Sequence, residues 1–207
     1  MARATIGTNN CGMLSHYSYR NAPMAPAAGN PPPAGTPFFP AAYHIGVSPS
    51  FAIATEAADL ALQAFSHATS LEQARAALLN AMQQHSAALH QVAHRLELQF
   101  TASFGGIDFS LAPYPDQARS LGAAMEALGV PGLGQHGSLA AAAILADTMD
   151  QAQFPRTGFC GLFLPLLEDA VLAQRAAQGL LSVKDLLLYS AVCGTGLDTL
   201  PLPGDTT

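Results

Sequence analysis

The class of the fold follows from residues 104–113, which read FGGIDFSLAP in one-letter code. This stretch predicts a strand over residues 104–111 with two glycines near its start. Pro113 and Pro115 end the strand, because proline lacks the backbone donor that a sheet needs. Since short apolar stretches of this kind alternate with longer helical ones, the sequence favours an α/β or α+β class.

The residues before this strand predict a second short strand and two helices. Residues 51–54 are apolar and predict a buried strand or the start of a helix, and residues 56–65 are helical in pattern. Ser70 is a good N-cap, and Gln73 completes a capping box for a helix over about residues 71–96. One side of that helix is expected to carry the apolar residues Leu78, Met82, Leu89 and Val92.

The residues after this strand predict four more helices. The expected ranges are residues 117–128 and 138–149, followed by 166–178 and 183–192. Gly129 ends the first helix, Ser138 caps the second, Gly179 ends the third and Ser182 caps the fourth.

The composition limits the classes of partner. The chain has 207 residues, of which half are apolar and only 11% are charged, and its formal net charge is −6. This negative balance and the absence of a basic cluster argue against nucleic acid as a partner. The low charge favours a chain that buries much of its surface, so a homo-oligomer is one expectation.

Cysteine usage and hydropathy indicate the compartment. The cysteines Cys11, Cys160 and Cys193 are widely spaced and form no CxxC pair, which favours a reducing, intracellular setting. Apolar runs such as residues 180–188 are interrupted by charges too early to cross a bilayer. We therefore expect a cytoplasmic protein without a membrane segment.

We expect residues 1–36, rich in proline and glycine, to be irregular or extended, and residues 37–207 to form one domain.

The glycine-rich loop before the helix at residues 138–149 is a candidate anion site. Residues 132–137 match GxGxxG literally, but the dinucleotide fingerprint requires a strand directly before it, and here a helix precedes. Gly134, Gly137 and Ser138 could still present free amides to an anion, with His136 as a further donor or as an acid/base. The alternative is a tight loop with a surface histidine.

The second candidate site follows the last helix. Cys193 lies at the end of that helix, where the helix dipole disfavours a thiolate, so it is either a neutral thiol or a small buried residue. Asp198 and Asp205 could bind a divalent cation or act as an acid/base pair, and local Asx turns are the alternative.

Two further pairs of polar residues each share one side of a predicted element. Asp108 and Ser110 lie two residues apart on the predicted strand and so face the same side, lining a cavity or an exposed strand face. His90 and His94 share a helical face, but Gln91 stands where a zinc protease has its glutamate, so we read them as solvated.

Four strings resemble a known family. They are residues 106–113 (GIDFSLAP), 135–143 (QHGSLAAAA), 156–162 (RTGFCGL) and 193–199 (CGTGLDT). In this order they resemble the domain of unknown function 711 family, which is similar to pyruvate formate-lyase and ribonucleotide reductase. The resemblance runs from about Pro37 to Thr207. It implies a ten-stranded α/β barrel, of which this chain is a part, in longer family members.

The functional hypothesis combines these observations. We expect an intracellular enzyme that acts on a small anionic metabolite by acid/base chemistry, with a site built from Asp108, His136, Cys193, Asp198 and Asp205. Its cofactor is unassigned, and a divalent cation on Asp198 and Asp205 is one expectation. The resemblance implies an alternative, thiyl- or glycyl-radical chemistry through Cys193. A third reading is a non-catalytic barrel that binds a ligand or serves as a scaffold.

Overall fold

The computed structural model describes residues 3–7, 48–158 and 160–193. Among these, only the backbone is described for residues 3–7, Ser190 and Cys193. The predictions for Asp198 and Asp205 and for most of residues 1–36, Cys11 included, concern residues outside these ranges.

A small mixed sheet forms one part of the fold. Its strands are β1 (Arg3–Gly7), β2 (Ser50–Glu56) and β3 (Ser103–Asp108), in the order β1-β2-β3. β1 pairs antiparallel with β2, and β2 pairs parallel with β3. Residues 3–7, expected to be irregular or extended, are thus extended and paired with β2.

The sheet continues beyond β3 through single bridges. Ile107 pairs in parallel with Arg156, and Leu111 pairs in parallel with Leu162. The Ile107 amide donates to the carbonyl oxygen of Pro155 at 2.7 Å, and the Thr157 amide donates to that of Ile107 at 3.1 Å. Residues 155–157 therefore lie beside the end of β3, and Leu162 lies beside Leu111.

Helices connect and cover these strands. They are α1 (Ala58–Ser66), α2 (Leu71–Phe100), α3 (Leu121–Ala127), α4 (Ser138–Gln151), α5 (Ala170–Ala177) and α6 (Val183–Cys193). Because α1 and α2 link β2 to the parallel strand β3, the mixed α/β class is confirmed. The described ranges hold three strands and no closed barrel, so the ten-stranded barrel is not seen in them.

The core lies between the sheet and the helices. Its largest fully buried side chains include Phe65, Leu78, Met82, Ile107, Phe109, Leu111, Leu121 and Met125. Each such side chain contributes roughly 1.5–3 kcal/mol by leaving water. Leu78 and Met82 confirm the predicted inner side of α2, whereas Val92 is 42% exposed. The prediction failed at Val92 because the core covers mainly the first half of this long helix.

Helix boundaries show where the sequence pattern was misread. The helix predicted over residues 117–128 is divided at Ser120, which ends a short 3-10 turn (Gln117–Arg119) and caps α3. The helix predicted from residue 166 begins at Ala170, because the Asp169 side chain caps it there. The N-cap of α4 is Gly137 at φ +97°, not Ser138, whose hydroxyl donates instead to the Gln135 carbonyl oxygen at 2.8 Å.

The cap of α2 was predicted correctly. The Ser70 hydroxyl oxygen accepts from the Gln73 amide at 3.1 Å. The reciprocal half of the capping box is shifted by one residue, since the Gln73 side chain accepts from the Thr69 amide at 2.8 Å. This shift still satisfies a free amide at the helix start.

Asp169 joins the starts of two helices. Its Oδ1 accepts from the amides of Val171 and Leu172 at 3.0 and 3.1 Å, which caps α5. Its Oδ2 accepts from the amides of Leu121 and Gly122 at 2.7 and 3.1 Å, at the start of α3. The side chain is 1% exposed. A single buried carboxylate therefore satisfies amides from two helices that lie far apart in sequence.

We predict that Asp169→Ala destabilises the protein by about 3 kcal/mol or more, because four amides at two helix starts lose their acceptor. Asp169→Asn keeps one acceptor oxygen and should lose less. Urea unfolding followed by circular dichroism measures both. The matched control is Asp147→Ala, which removes a solvent-exposed carboxylate paired with Arg75 and should cost less than about 1 kcal/mol. Equal losses in Asp169→Ala and Asp147→Ala would contradict the double cap.

Candidate functional site

The loop over residues 132–137 is held in place by α3, α5 and the residues before α6. The Glu126 carboxylate accepts from the Leu133 amide at 3.1 Å. It also forms a bidentate ion pair with the Arg175 guanidinium, with N–O distances of 2.6 and 2.7 Å. Burial raises the pKa of Glu126, but the Arg175 guanidinium and the Leu133 amide together outweigh burial and leave the pKa below its ordinary value. Glu126 is thus a fixed anion that ties the loop to α5.

Gly134 allows the loop to pass close to the neighbouring chain. Its φ is +92°, and a Cβ atom there would lie 1.7 Å from the Leu180 carbonyl oxygen. Only glycine accepts both the left-handed backbone and this approach. The Gly134 amide donates to the Tyr189 hydroxyl at 3.1 Å, so the loop is also attached to α6.

An open hollow of about 540 Å³ lies between this loop and α6. We call it the α4–α6 hollow. It is lined by Pro131, Gly134, Gln135, His136, Gly137, Leu139, Asp185, Leu188 and Tyr189. Its volume lies in the range of small-molecule sites.

The groups around the hollow have distinct chemistry. His136 is exposed to solvent, whereas Tyr189 is 2% exposed. Burial raises the pKa of Tyr189 above its ordinary value. The hydrogen bonds of Tyr189 with Ser138 and Gly134 lower the pKa, but by a smaller amount than burial raises it. Tyr189 is therefore a neutral hydrogen-bonding group at physiological pH, and the exposed His136 imidazole is a group that can donate or accept a hydrogen bond.

The amides predicted to bind an anion are only partly free. Those of Gly134 and Ser138 are already donated, to the Tyr189 hydroxyl and to the Gln135 carbonyl oxygen. The N-terminus of α4 has no side-chain cap. Within the described ranges, the first-turn amides of Leu139 and Ala140 have no backbone acceptor. Two of the three predicted amides are therefore engaged within the protein, and the first-turn amides of the two residues after Ser138 are further donors at this helix start.

Asp108 belongs to a different cluster. It is 6% exposed, accepts from the Ser110 hydroxyl at 2.6 Å and accepts from the Cys160 amide at 2.8 Å. The expectation that Asp108 and Ser110 share a side is confirmed, and both are buried, so the exposed-face alternative is wrong. A Cβ at Gly158 would lie 2.4 Å from Asp108 Oδ2, so the turn before Cys160 is closed tightly over the carboxylate.

Cys160 is a neutral thiol in this cluster. Burial and the Asp108 carboxylate raise its pKa to about 12. Its Sγ lies 3.3 Å from the carbonyl oxygens of Ile107 and Thr157, to which it donates. Cys160 also has φ +47°, an uncommon backbone for a residue with a side chain. These contacts describe a closed turn around a carboxylate rather than an activated nucleophile.

The structure thus brings some of the predicted site residues together and separates others. His136, Gly134 and Gly137 line the α4–α6 hollow, and Ser138 is buried behind it. Asp108 is not part of the lining of that hollow. Cys193 is the last residue of α6, but its side chain is not described, and Asp198 and Asp205 lie outside the described residues. The roles assigned to these three residues stay predictions.

Sequence reasoning missed Asp185 and Tyr189. They lie four residues apart on α6 and so share a helical face, a spacing that is visible in the sequence. Asp185 also follows Ser182 by three residues, the spacing of a capping box, and its Oδ2 accepts from the Ser182 amide at 2.9 Å. Nothing in the sequence indicated that this face meets the loop at residues 132–137.

Metal and membrane signals are absent from the residues that the structure describes. No group of three or more His, Cys, Asp or Glu side chains within those ranges is arranged to hold a metal ion. The His90 ring lies 5.9 Å from that of Phe104, and His94 lies 3.6 Å from Glu97. None of the helices described here is both long enough and apolar enough to cross a membrane.

The fold and the hollow define a mixed α/β protein with a small-molecule-sized cleft at a helix start. The chain belongs to the family described as Uncharacterised ACR (DUF711), whose sequence profile matches residues 20–207. The resemblance inferred from the four strings is therefore confirmed.

Relatives in the same family are longer proteins. The chain is 37% identical over 120 residues to a UPF0210 protein of Pyrobaculum aerophilum, an alignment that covers 56% of this chain and 27% of the relative. It is 38% identical over 121 residues to a UPF0210 protein of Syntrophotalea carbinolica, covering 56% of this chain and 26% of that relative. The matched stretch thus spans about a quarter of the length of these curated relatives.

We predict that Gly134→Ala destabilises the protein far more than Gly129→Ala. Both glycines have a positive φ, at +92° and +96°, but only Gly134 has a neighbour within reach of a new Cβ. Gly129→Ala should cost about 1–2 kcal/mol from backbone strain alone. Gly134→Ala adds a backbone clash and should cost at least about 2 kcal/mol more. Chemical unfolding of both variants measures the difference, and similar losses would contradict the tight packing of the loop.

The raised pKa of Cys160 predicts a pH effect on stability. A folded-state pKa of about 12 against 9.0 for a free thiol means that the unfolded state loses its proton first as pH rises. Stability is then full below about pH 9 and falls above it. Between pH 8 and pH 10, wild type should lose about 1 kcal/mol more unfolding free energy than Cys160→Ala. Parallel pH dependences of the two proteins would show that the Cys160 thiol is not held neutral by the fold.

Proposed function

We propose that this protein binds a small anionic metabolite in the α4–α6 hollow and that His136 exchanges a proton with it. The observation that carries the proposal is the meeting of His136 and the uncapped start of α4 in one hollow of about 540 Å³. Free amides and the positive end of a helix favour an anion. An imidazole beside them is suited to acid/base work near neutral pH.

The surroundings support a bound molecule rather than a solvated loop. The loop is fixed on two sides, by Glu126 through the Leu133 amide and by Tyr189 through the Gly134 amide. A site held in this way loses little conformational entropy when a ligand enters it. Leu139 and Leu188, 39% and 43% exposed, add apolar surface at the rim for the carbon portion of the ligand.

Non-catalytic binding is the second candidate function. It is favoured by the separation of Asp108, which is buried in the cluster with Ser110 and Cys160 and does not line the hollow. Asp108, which was predicted to share a site with His136, is therefore not available as a second catalytic group in the hollow. Turnover of a metabolite that binds at His136 would distinguish an enzyme from a binding protein.

We also propose that the parallel sheet is a portion of the larger α/β barrel that the family resemblance implies. The supporting observations are the parallel pairing of β2 with β3 and the single parallel bridges that join Ile107 to Arg156 and Leu111 to Leu162. A crystal structure of a full-length UPF0210 relative tests this directly. An open sheet in that structure would contradict it.

The binding proposal predicts a specific loss in His136→Ala. Ligand-induced thermal shifts are measured for the wild type over a panel of carboxylates and phosphate esters. A ligand that stabilises the wild type should bind His136→Ala at least tenfold more weakly, because the imidazole donor is lost. The matched control is His85→Ala, an exposed histidine on α2 away from the hollow, which should bind as the wild type does. If both variants bind every ligand as tightly as the wild type, His136 has no part in binding.

A further inference from the structure

The α4–α6 hollow contains one carboxylate whose position is fixed. Of the residues described in its lining, Asp185 alone carries an acidic side chain. Its Oδ2 accepts from the Ser182 amide at 2.9 Å and from the Ser182 hydroxyl at 2.5 Å. This cap at the start of α6 orients the carboxylate, so Asp185 is not a freely rotating surface group.

A simple anion is poorly matched to this arrangement. Asp185 and the start of α4 share one hollow, so an anion bound at the amides would also experience the negative charge of Asp185. Like charges disfavour each other strongly where solvent is partly excluded. A ligand avoids this cost if it carries a positive group beside the anionic one.

We infer that the ligand class is a zwitterion, with its anionic group at the start of α4 and His136 and an ammonium group at Asp185. Amino acids and aminoalkyl phosphates belong to this class. The inference rests on the proposed function, because it assigns two ends of a molecule to the two walls of the same hollow. Asp185 is then the residue that determines specificity, through a charge-assisted hydrogen bond.

The remaining lining suits the middle of such a molecule. Pro131, Leu139 and Leu188 offer apolar surface between the polar groups. The Tyr189 hydroxyl accepts from the Gly134 amide and is hydrogen-bonded to Ser138, and, being neutral, it attracts an ammonium group less than the Asp185 carboxylate does. The specific contacts are therefore made by the two charged ends of the ligand.

The test compares matched pairs of probes on the full chain by isothermal titration calorimetry. The pairs are L-glutamate with glutarate, and phosphoethanolamine with ethyl phosphate; the members of each pair differ in the amino group. The variant is Asp185→Asn, which keeps a carbonyl oxygen to accept from Ser182. The control is Asp147→Asn, which removes the same charge from the exposed side of α4, where Asp147 pairs with Arg75.

In at least one pair, the wild type should bind the compound with the amino group at least tenfold more tightly than the compound without it. Asp185→Asn should bind that amino compound about tenfold more weakly than the wild type does, and should bind the matching compound without the amino group equally or more tightly. Asp147→Asn should bind both compounds as the wild type does. If the wild type binds both members equally, or if Asp185→Asn weakens both to the same extent, the zwitterion inference is wrong and the proposed function stands. If the wild type binds none of the four probes, the zwitterion inference is wrong, and the panel of carboxylates and phosphate esters then decides the proposed function separately.

Discussion

The carboxylate of Asp169 is the contact on which the helical part of the fold depends. A buried carboxylate without partners would be very costly, but here four amides and the Ser120 hydroxyl donate to it. Because these donors come from the starts of α3 and α5, the charge is shared between two helix dipoles. The close approach that this requires explains Gly122, where a Cβ would lie 2.9 Å from Leu133 and 3.2 Å from Asp169 Oδ1.

The position of the hollow follows from that contact. Once α3 and α5 are joined, Glu126 on α3 reaches Arg175 on α5, and the same carboxylate takes the Leu133 amide. The loop at residues 132–137 is thereby placed against Leu180 and α6. His136 lines the hollow on this loop, whose backbone is held by hydrogen bonds of Leu133, Gly134 and Ser138.

Part of this arrangement could be predicted from the sequence. The strand around Asp108, the cap at Ser70, the glycine loop and the helix ending at Cys193 all follow from local rules of propensity and capping. Local rules failed where a distant group decides the outcome. Asp169 delays the start of α5, and Ser120 divides the predicted helix because Asp169 binds its hydroxyl.

The candidate site was predictable to a similar degree. His136 and its glycines were found because residue type and loop composition carry the signal. Asp185 and Tyr189 were not found, since their importance comes from packing between α6 and a loop about 50 positions earlier, a long-range contact that a single sequence does not encode locally. Asp108 and Ser110 do share a side, as the strand spacing predicted, but Asp108 is bonded to Ser110 and Cys160 and does not line the hollow.

The construction of one wall from a single short helix has a thermodynamic consequence. Helix α6 is anchored inward by Leu186 and Tyr189, while its outward Leu187 is 56% exposed. If α6 detaches, the cleft ceases to exist, so apparent affinity equals intrinsic affinity multiplied by the fraction of molecules with the helix seated. By reciprocity, a ligand bound in the hollow stabilises the packed position of α6 by the same free energy. A substitution that improves the packing of Leu186 would therefore tighten binding without touching the bound molecule.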